Sequence, residues 1–305
     1  MIVDLSSPRG RSVNDGISSE LCSLRYASVD NAVEVITTLG RSALLAKFDL
    51  SNAYRMIPVH PDDQPLLGVA WQGSVYMDRS MPFGLRSAPK IFNAVADFLA
   101  WVLHHNGIPY VIHYLDDFLV IAPAGSGLAC SMRPQVEAIF DYLGAAIAHH
   151  KTDGPSTVTT FLGIQIDTDL FQLSLPLEKV QRLRDLLSQW RKRRSCTKRE
   201  LQVLLGHLSN AASVIRPGRI FLHSLFSLLS RLSSPRHYVR LNCQARMDIT
   251  WWHCLLQHWN GHSFSCQQPP HFMSTLTLQG RSVVGHTARN CPPGSSYPGP
   301  SHGLQ

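Results

Sequence analysis

The chain has 305 residues, 28 Lys and Arg against 21 Asp and Glu, a formal charge of +7 and 44% hydrophobic residues, enough apolar material for one large or two medium domains with a real core. Seven cysteines without a CxxC pair speak against a disulfide framework and for a reduced, intracellular setting, and the basic surplus suits a polyanionic partner without identifying one. The start MIVDLSSPRGR carries no signal-like apolar run, and no stretch reaches the ~18 apolar residues of a membrane span, so neither secretion nor membrane insertion is expected.

In chain order, SALLAKFD (42–49) reads as a short buried strand, and the Pro-containing SNAYRMIPVHPDDQP after it as turns. A β-rich stretch, LGVAWQGSVYMDRSMPFG, leads into an amphipathic helix in which Ile91, Val95, Phe98, Leu99, Val102 and Leu103 recur at helical spacing, with Ser87 as its cap and Gly107 as its stop. YVIHYLDDFLVIA then shows two apolar β-prone runs parted by Asp116 and Asp117, the pattern of a hairpin with acids at its tip. Val136, Ile139, Phe140 and Leu143 mark a further helix, and TVTTFLGIQID with FQLSL a further hairpin. This order predicts an α+β fold, an antiparallel sheet with helices packed on one face, over residues 1–176.

After Pro176 the pattern becomes helical. Val180, Leu183, Leu186, Leu187 and Trp190 form one stripe, and Leu201, Leu204, Leu205 and Leu208 a second that starts at a Thr197–Glu200 capping box, giving a helical subdomain over 177–232. A connecting segment follows over 233–266. Residues 267–305, rich in Pro, Gly, Ser and His and without periodicity, are expected to be disordered.

Three acids stand out by context: Asp49 ends a buried strand, and Asp116 and Asp117 sit between apolar arms. Buried neighbouring carboxylates are costly unless cations neutralise them, and Mg²⁺ takes a few carboxylates together with water and phosphate oxygens. An isolated Asp-Asp pair would be a turn, and an isolated Asp49 a helix cap. Here, however, YLDD follows KFDLSNAYRMIPVHP and SMPFGLRSAPKIFNAVAD in order, and precedes LGAAIAHHKTDGPS and FLGIQI.

That ordered set closely resembles the successive palm motifs of reverse transcriptases, over roughly residues 1–260. CTKRELQVLLGHLSNAASVIRPGR further resembles the DIRS-like retrotransposon class. The resemblance implies a palm with partial fingers, a helical thumb and connection, and an RNA-directed DNA polymerase that joins deoxynucleoside triphosphates to a primer on an RNA or DNA template. Asp49, Asp116 and Asp117 would then hold two Mg²⁺ ions, with Mn²⁺ as a substitute, and Lys151 would supply a proton to the leaving pyrophosphate. Tyr54 would be the steric gate against a ribose 2′ hydroxyl, Phe83 and Gly84 would line the nucleotide site, and Phe161, Leu162 and Gly163 would form the primer grip. Arg191, Lys192, Arg193 and Arg194 would follow the phosphate backbone of the thumb's nucleic acid.

The same comparison leads us to expect a chain truncated in its N-terminal fingers, with polymerase activity impaired by that loss. An inactive remnant that binds nucleic acid, and a polymerase copying RNA into RNA, are the alternatives. WWHCLLQHWNGHSF resembles the approach to a ribonuclease H domain, but no Asp or Glu follows Asp248 to serve such a nuclease. His253, Cys254, His258, His262 and Cys266 have some of the residue types of a zinc site, although packing around Trp251, Trp252 and Trp259 accounts for the segment better.

Overall fold

The computed structural model describes residues 4–234 and 236–264. The tail from 267 and Cys266 lie outside the described residues. Helix α1 (Val29–Leu39) leads into strand β1 (Leu44–Asp49). Strands β2 (Gly68–Trp71) and β3 (Ser74–Met77) form a separate, largely exposed hairpin. Its Gln72-Gly73 turn has both residues at positive φ, the two-residue geometry that matches strand twist.

Helix α2 (Ala88–His105), the hairpin β4 (Val111–Tyr114) and β5 (Asp117–Ala122), and helix α3 (Gly127–Tyr142) come next. Strand β6 (Asp153–Ser156) completes a four-stranded sheet of order β4-β5-β1-β6. Strands β7 (Val158–Phe161), β8 (Ile164–Asp167) and β9 (Gln172–Ser174) make a second sheet. Helix α4 (Leu177–Lys192) and helix α5 (Lys198–Val214) flank β10 (Ser195–Thr197), and helix α6 (His223–Ser230) precedes β11 (Tyr238–Arg240), the partner of β10. Helix α7 (Cys243–His258) leads to β12 (His262–Ser263), which pairs with β9.

The first sheet is covered on both faces. Ala46 and Phe48 of β1 share a core with Phe118 and Val120 of β5, Phe92 and Leu99 of α2, and Val136 and Phe140 of α3. Leu45, Leu119 and Ile121 point the other way, into a core with Ile36 of α1 and Phe161 and Ile166 of the second sheet. The expectation of helices on one face therefore describes α2 and α3, while α1 lies opposite. This explains why β5 is buried from Phe118 to Ala122 without alternation, since both of its sides meet apolar partners.

That second core runs on without a break into α4, α5, α6 and α7 through Val180, Leu187, Leu204, Leu225 and Trp252. The expected stripes on α4 and α5 are the buried faces, and the Thr197–Glu200 capping box is formed, with Thr197 Oγ1 accepting from the Glu200 amide. Cys196 is enclosed at the start of this region, and burial pushes its thiol up to about 11.

Two expectations for α2 need correction. Its buried face is Phe92, Ala96, Leu99 and Leu103, whereas Ile91 and Phe98 are 43% and 51% exposed. The helix is apolar around more than half its circumference, so spacing alone picked a stripe rotated toward solvent. Ser87 is itself in a helical conformation and makes no side-chain cap bond.

Packing under α7 yields a direct test. A Cβ built on Gly218 would stand 2.2 Å from Cη2 of the fully buried Trp252, so Gly218→Ala is expected to destabilise by about 1–3 kcal/mol through overpacking. Gly206, exposed on α5 with nothing within 4 Å of its added Cβ, should instead gain ~1 kcal/mol as alanine. Urea unfolding of the two variants checks the opposite signs.

Candidate active site

The register of the first sheet decides where the carboxylates meet. Strands β1 and β5 pair antiparallel with Asp49 directly opposite Asp117. The β4–β5 hairpin closes through Leu115 and Asp116 between the paired Tyr114 and Asp117, with Leu115 at φ 54°. A bulky residue in left-handed backbone is strained, and it persists here because both strands and a cross-bond from the Leu50 amide to Asp116 O (2.9 Å) hold the tip. The turn that carries Lys151 is hung on the end of β1: the Ala148 amide donates to Asp49 O (2.8 Å), and the Ser51 amide to Ala146 O (2.7 Å).

Three acids thus sit together with two ammonium groups. Lys151 Nζ donates to Asp49 Oδ1 at 2.9 Å, and this bond raises the lysine above its ordinary range, so it keeps its proton. Lys47 Nζ lies 3.0 Å from Asp117 Oδ1. That approach is off the line of a hydrogen bond, and the buried Oδ1 has no hydrogen-bond partner among the described residues. Asp49 is 8% exposed. Asp116 is half-buried, and burial, reinforced by Asp117 and Asp49, holds its carboxyl above the usual range.

Tyr54 stands beside this cluster. Asn52 turns the chain through left-handed backbone (φ 55°) into the 3₁₀ turn Ala53–Met56, and the Tyr54 ring packs edge-on to Phe83 (5.3 Å) and Phe92 (5.6 Å). Burial raises the Tyr54 phenol, and the Asp116 charge adds to it. Phe83 is partly exposed, and Gly84 takes φ 94°, which favours glycine.

One residue that the sequence did not single out fixes this loop. Asn14, only 3% exposed, donates from Nδ2 to Ser6 Oγ (2.9 Å) and Gly84 O (2.9 Å) and accepts the Arg86 amide at Oδ1 (2.7 Å). It stitches the N-terminal segment to Gly84 and Arg86, on either side of Leu85. An Asn in a polar, turn-like stretch gives no sign of this in the sequence, because its partners lie some 70 residues away.

The other expected site residues are placed elsewhere. Phe161 is wholly buried, while Leu162 and Gly163 form the positive-φ turn of the β7–β8 hairpin. Gly163 O accepts from Lys179 Nζ at 2.9 Å. In the basic run, Arg193 is bound to Glu200 (2.7 Å) and lies over the Trp190 ring, and Arg191 meets His253 Nδ1 at 3.3 Å. Lys192 and Arg194 are exposed. Of the zinc candidates, His253 also meets Ser188 and His262 meets Val214 O, on different elements. Among the described residues, no three His, Cys, Asp or Glu side chains form a group able to hold a metal by themselves.

Residues 6–166 match the family described as reverse transcriptase (RNA-dependent DNA polymerase). The Pro-Pol polyprotein of feline foamy virus is 25% identical over 215 residues, 67% of this chain and 16% of the polyprotein. Protein P of duck hepatitis B virus is 29% identical over 126 residues, 41% of this chain and 16% of that protein. The chain thus spans about one sixth of these relatives. The structure of the foamy viral protease-reverse transcriptase dRH in complex with double-stranded DNA superposes with a TM-score of 0.60 at 21% identity, covering 86% of this chain and 41% of that one. The foamy viral protease-reverse transcriptase in complex with an RNA/DNA hybrid gives 0.59 at 20%, covering 82% and 31%. No described helix is long and apolar enough to cross a membrane.

The site geometry makes two predictions. Asn14→Ala strands Gly84 O and the Arg86 amide, an expected loss of about 1–3 kcal/mol, and amide hydrogen exchange at Arg86 should rise to that of an open loop; unchanged protection would refute the clamp. Because the folded pKa of Asp116 is raised, the protein loses stability as pH climbs through it. Asp116→Asn should therefore raise the urea midpoint at pH 7 in EDTA, with the gain vanishing below the ordinary carboxylate range.

Proposed function

The chain belongs to the reverse transcriptase family, and from that premise we propose that its acidic cluster makes it an RNA-directed DNA polymerase, adding deoxynucleotides to a primer 3′ hydroxyl on an RNA or DNA template. The observation that carries this is the register that brings Asp49 and Asp117 face to face beside the Asp116 tip. Like charges so placed are unfavourable for the fold alone, and their clustering points to a cationic ligand.

The residues fit two hard divalent cations, Mg²⁺ or Mn²⁺. Mg²⁺ characteristically uses one or two carboxylates plus water and substrate phosphates, and Asp49 and Asp116 would supply the carboxylates. The Asp116 carboxyl, raised by burial and by its two acidic neighbours, is the one a bound cation would most stabilise. When bound, such ions activate the primer hydroxyl and stabilise the attacking and leaving oxygens of phosphoryl transfer.

The remaining roles fall to the chain itself. Asp49 and Asp116 hold the cations and Asp117 completes the acidic cluster. Lys151, kept protonated by Asp49, is the proton source for the departing pyrophosphate. Tyr54, wedged between Phe83 and Phe92, presents a rigid ring where a 2′ hydroxyl would enter. Gly84 lets the backbone approach the nucleotide, with its loop held by Asn14.

At the primer grip, Leu162 and Gly163 act through backbone, since the Phe161 side chain belongs to the core. On the thumb, residues 177–232, Lys192 and Arg194 are free to follow phosphates, while Arg191 and Arg193 first hold the helices together. The likeness of residues 196–219 to the DIRS-like class belongs to the same proposal and narrows the origin to a retroelement.

Incorporation of labelled deoxynucleotide on a primed RNA template tests this. Asp49→Asn and Asp116→Asn should each lower the rate by roughly a hundred- to a thousandfold while primer-template binding persists. Near-normal Mg²⁺-dependent synthesis by either variant would refute the assignment. Tyr54→Val should raise the ratio of ribonucleotide to deoxynucleotide incorporation by roughly tenfold or more; an unchanged ratio in an active variant would remove Tyr54 from that role.

A further inference from the structure

Lys47 lies two residues before Asp49 on β1, so both side chains project from the same face of the sheet. It is in register with Leu119, and its long side chain runs diagonally across the strands to Asp117. Leu45 on the same face and Phe48 beside it are fully buried, and the Lys47 side chain is itself only 20% exposed. A lysine side chain covered to that degree is costly unless an anion answers its charge.

The two lysines of the cluster are not equivalent. Lys151 is 54% exposed and gives Asp49 a directed hydrogen bond. Lys47 is enclosed and gives Asp117 Oδ1 charge without a hydrogen bond. Such a contact neutralises the carboxylate and leaves its oxygen unfixed. Asp116, at the tip, has no ammonium at hydrogen-bond distance among the described residues and is the acid whose carboxyl is pushed up.

We propose that Lys47 is the resident countercharge of Asp117, a positioning residue that leaves Asp49 and Asp116 to hold the divalent cations and sets how tightly the site binds them. This rests on the function proposed above. With Lys47 in place, the cluster stays folded when free of metal, and the charge of Asp117 adds little to the attraction for incoming cations. Without Lys47, one more uncompensated negative charge would stand a few ångströms from them.

The test is Mn²⁺ binding to the purified, nucleic-acid-free chain, read from the electron paramagnetic resonance signal of free Mn²⁺. Wild-type binding that falls in Asp49→Asn and Asp116→Asn establishes the site. Lys47→Met should then tighten binding by roughly three- to tenfold, as expected for removing a nearby like charge at an effective dielectric between protein and water. Lys47→Arg, which keeps the charge, should stay near wild type. The double variant Lys47→Met with Asp117→Asn removes both charges, is expected to fold even if the single variant does not, and should bind like wild type.

Unchanged or weaker binding by Lys47→Met, or loss of binding in the double variant, overturns the inference and leaves the proposed function standing. Failure of the wild type to bind Mn²⁺ at Asp49 and Asp116 overturns the proposed function, and the inference with it.

Discussion

Strand β1 meets β5 in a register that sets one aspartate directly against another, Asp49 against Asp117, with Asp116 one residue away at a strained tip. Carboxylates opposed across a sheet repel, and burial adds desolvation to the repulsion. Much of the surrounding structure answers that repulsion. The Lys151 turn is tied by backbone bonds to the end of β1, and Lys47 reaches across from within the sheet. A rigid, doubly covered sheet keeps the acids from moving apart. The local cost is real, and it is offset by apolar packing on both sides of β1 and β5.

Packing also links the parts of the site. Phe92 of α2 lies in the same core as Phe48 and Phe118 and meets Tyr54 edge-on. The helix that steadies the carboxylate strands from behind is therefore the one that steadies the Tyr54 ring in front. Asn14 does for the Gly84 loop, with hydrogen bonds, what Phe92 does for Tyr54 with an aromatic contact. Tyr54 and the Gly84 loop are thus held from two directions by elements far apart in sequence.

Much of this was legible beforehand. Asp116 and Asp117 were readable as a hairpin tip because apolar β-prone runs flank them, and Thr197–Glu200 as a helix start because its spacing has one mechanical meaning. The family was legible from ordered motifs, and the comparisons confirm it. What escaped depends on partners distant in sequence. The solvent face of α2 was misjudged because Ile91 and Phe98 are as apolar as Phe92 and Leu99, and only the sheet decides which side is covered. Asn14 and Lys47 were passed over for the same reason: each is unremarkable in its local stretch and acquires its role from a residue brought near by folding.

The unbroken core beneath the first sheet has a consequence for how the protein is made. Asp49, Asp116 and Asp117 come early in the sequence, but the core beneath their sheet is continuous with Trp252 and Leu256, and β9 gains its partner β12 only at His262 and Ser263. Contacts of such sequence separation form slowly. Until then β9 is an open edge, with backbone groups unpaired on one side. An edge left open for so much of the sequence is where the folding chain is most exposed to wrong strand pairing.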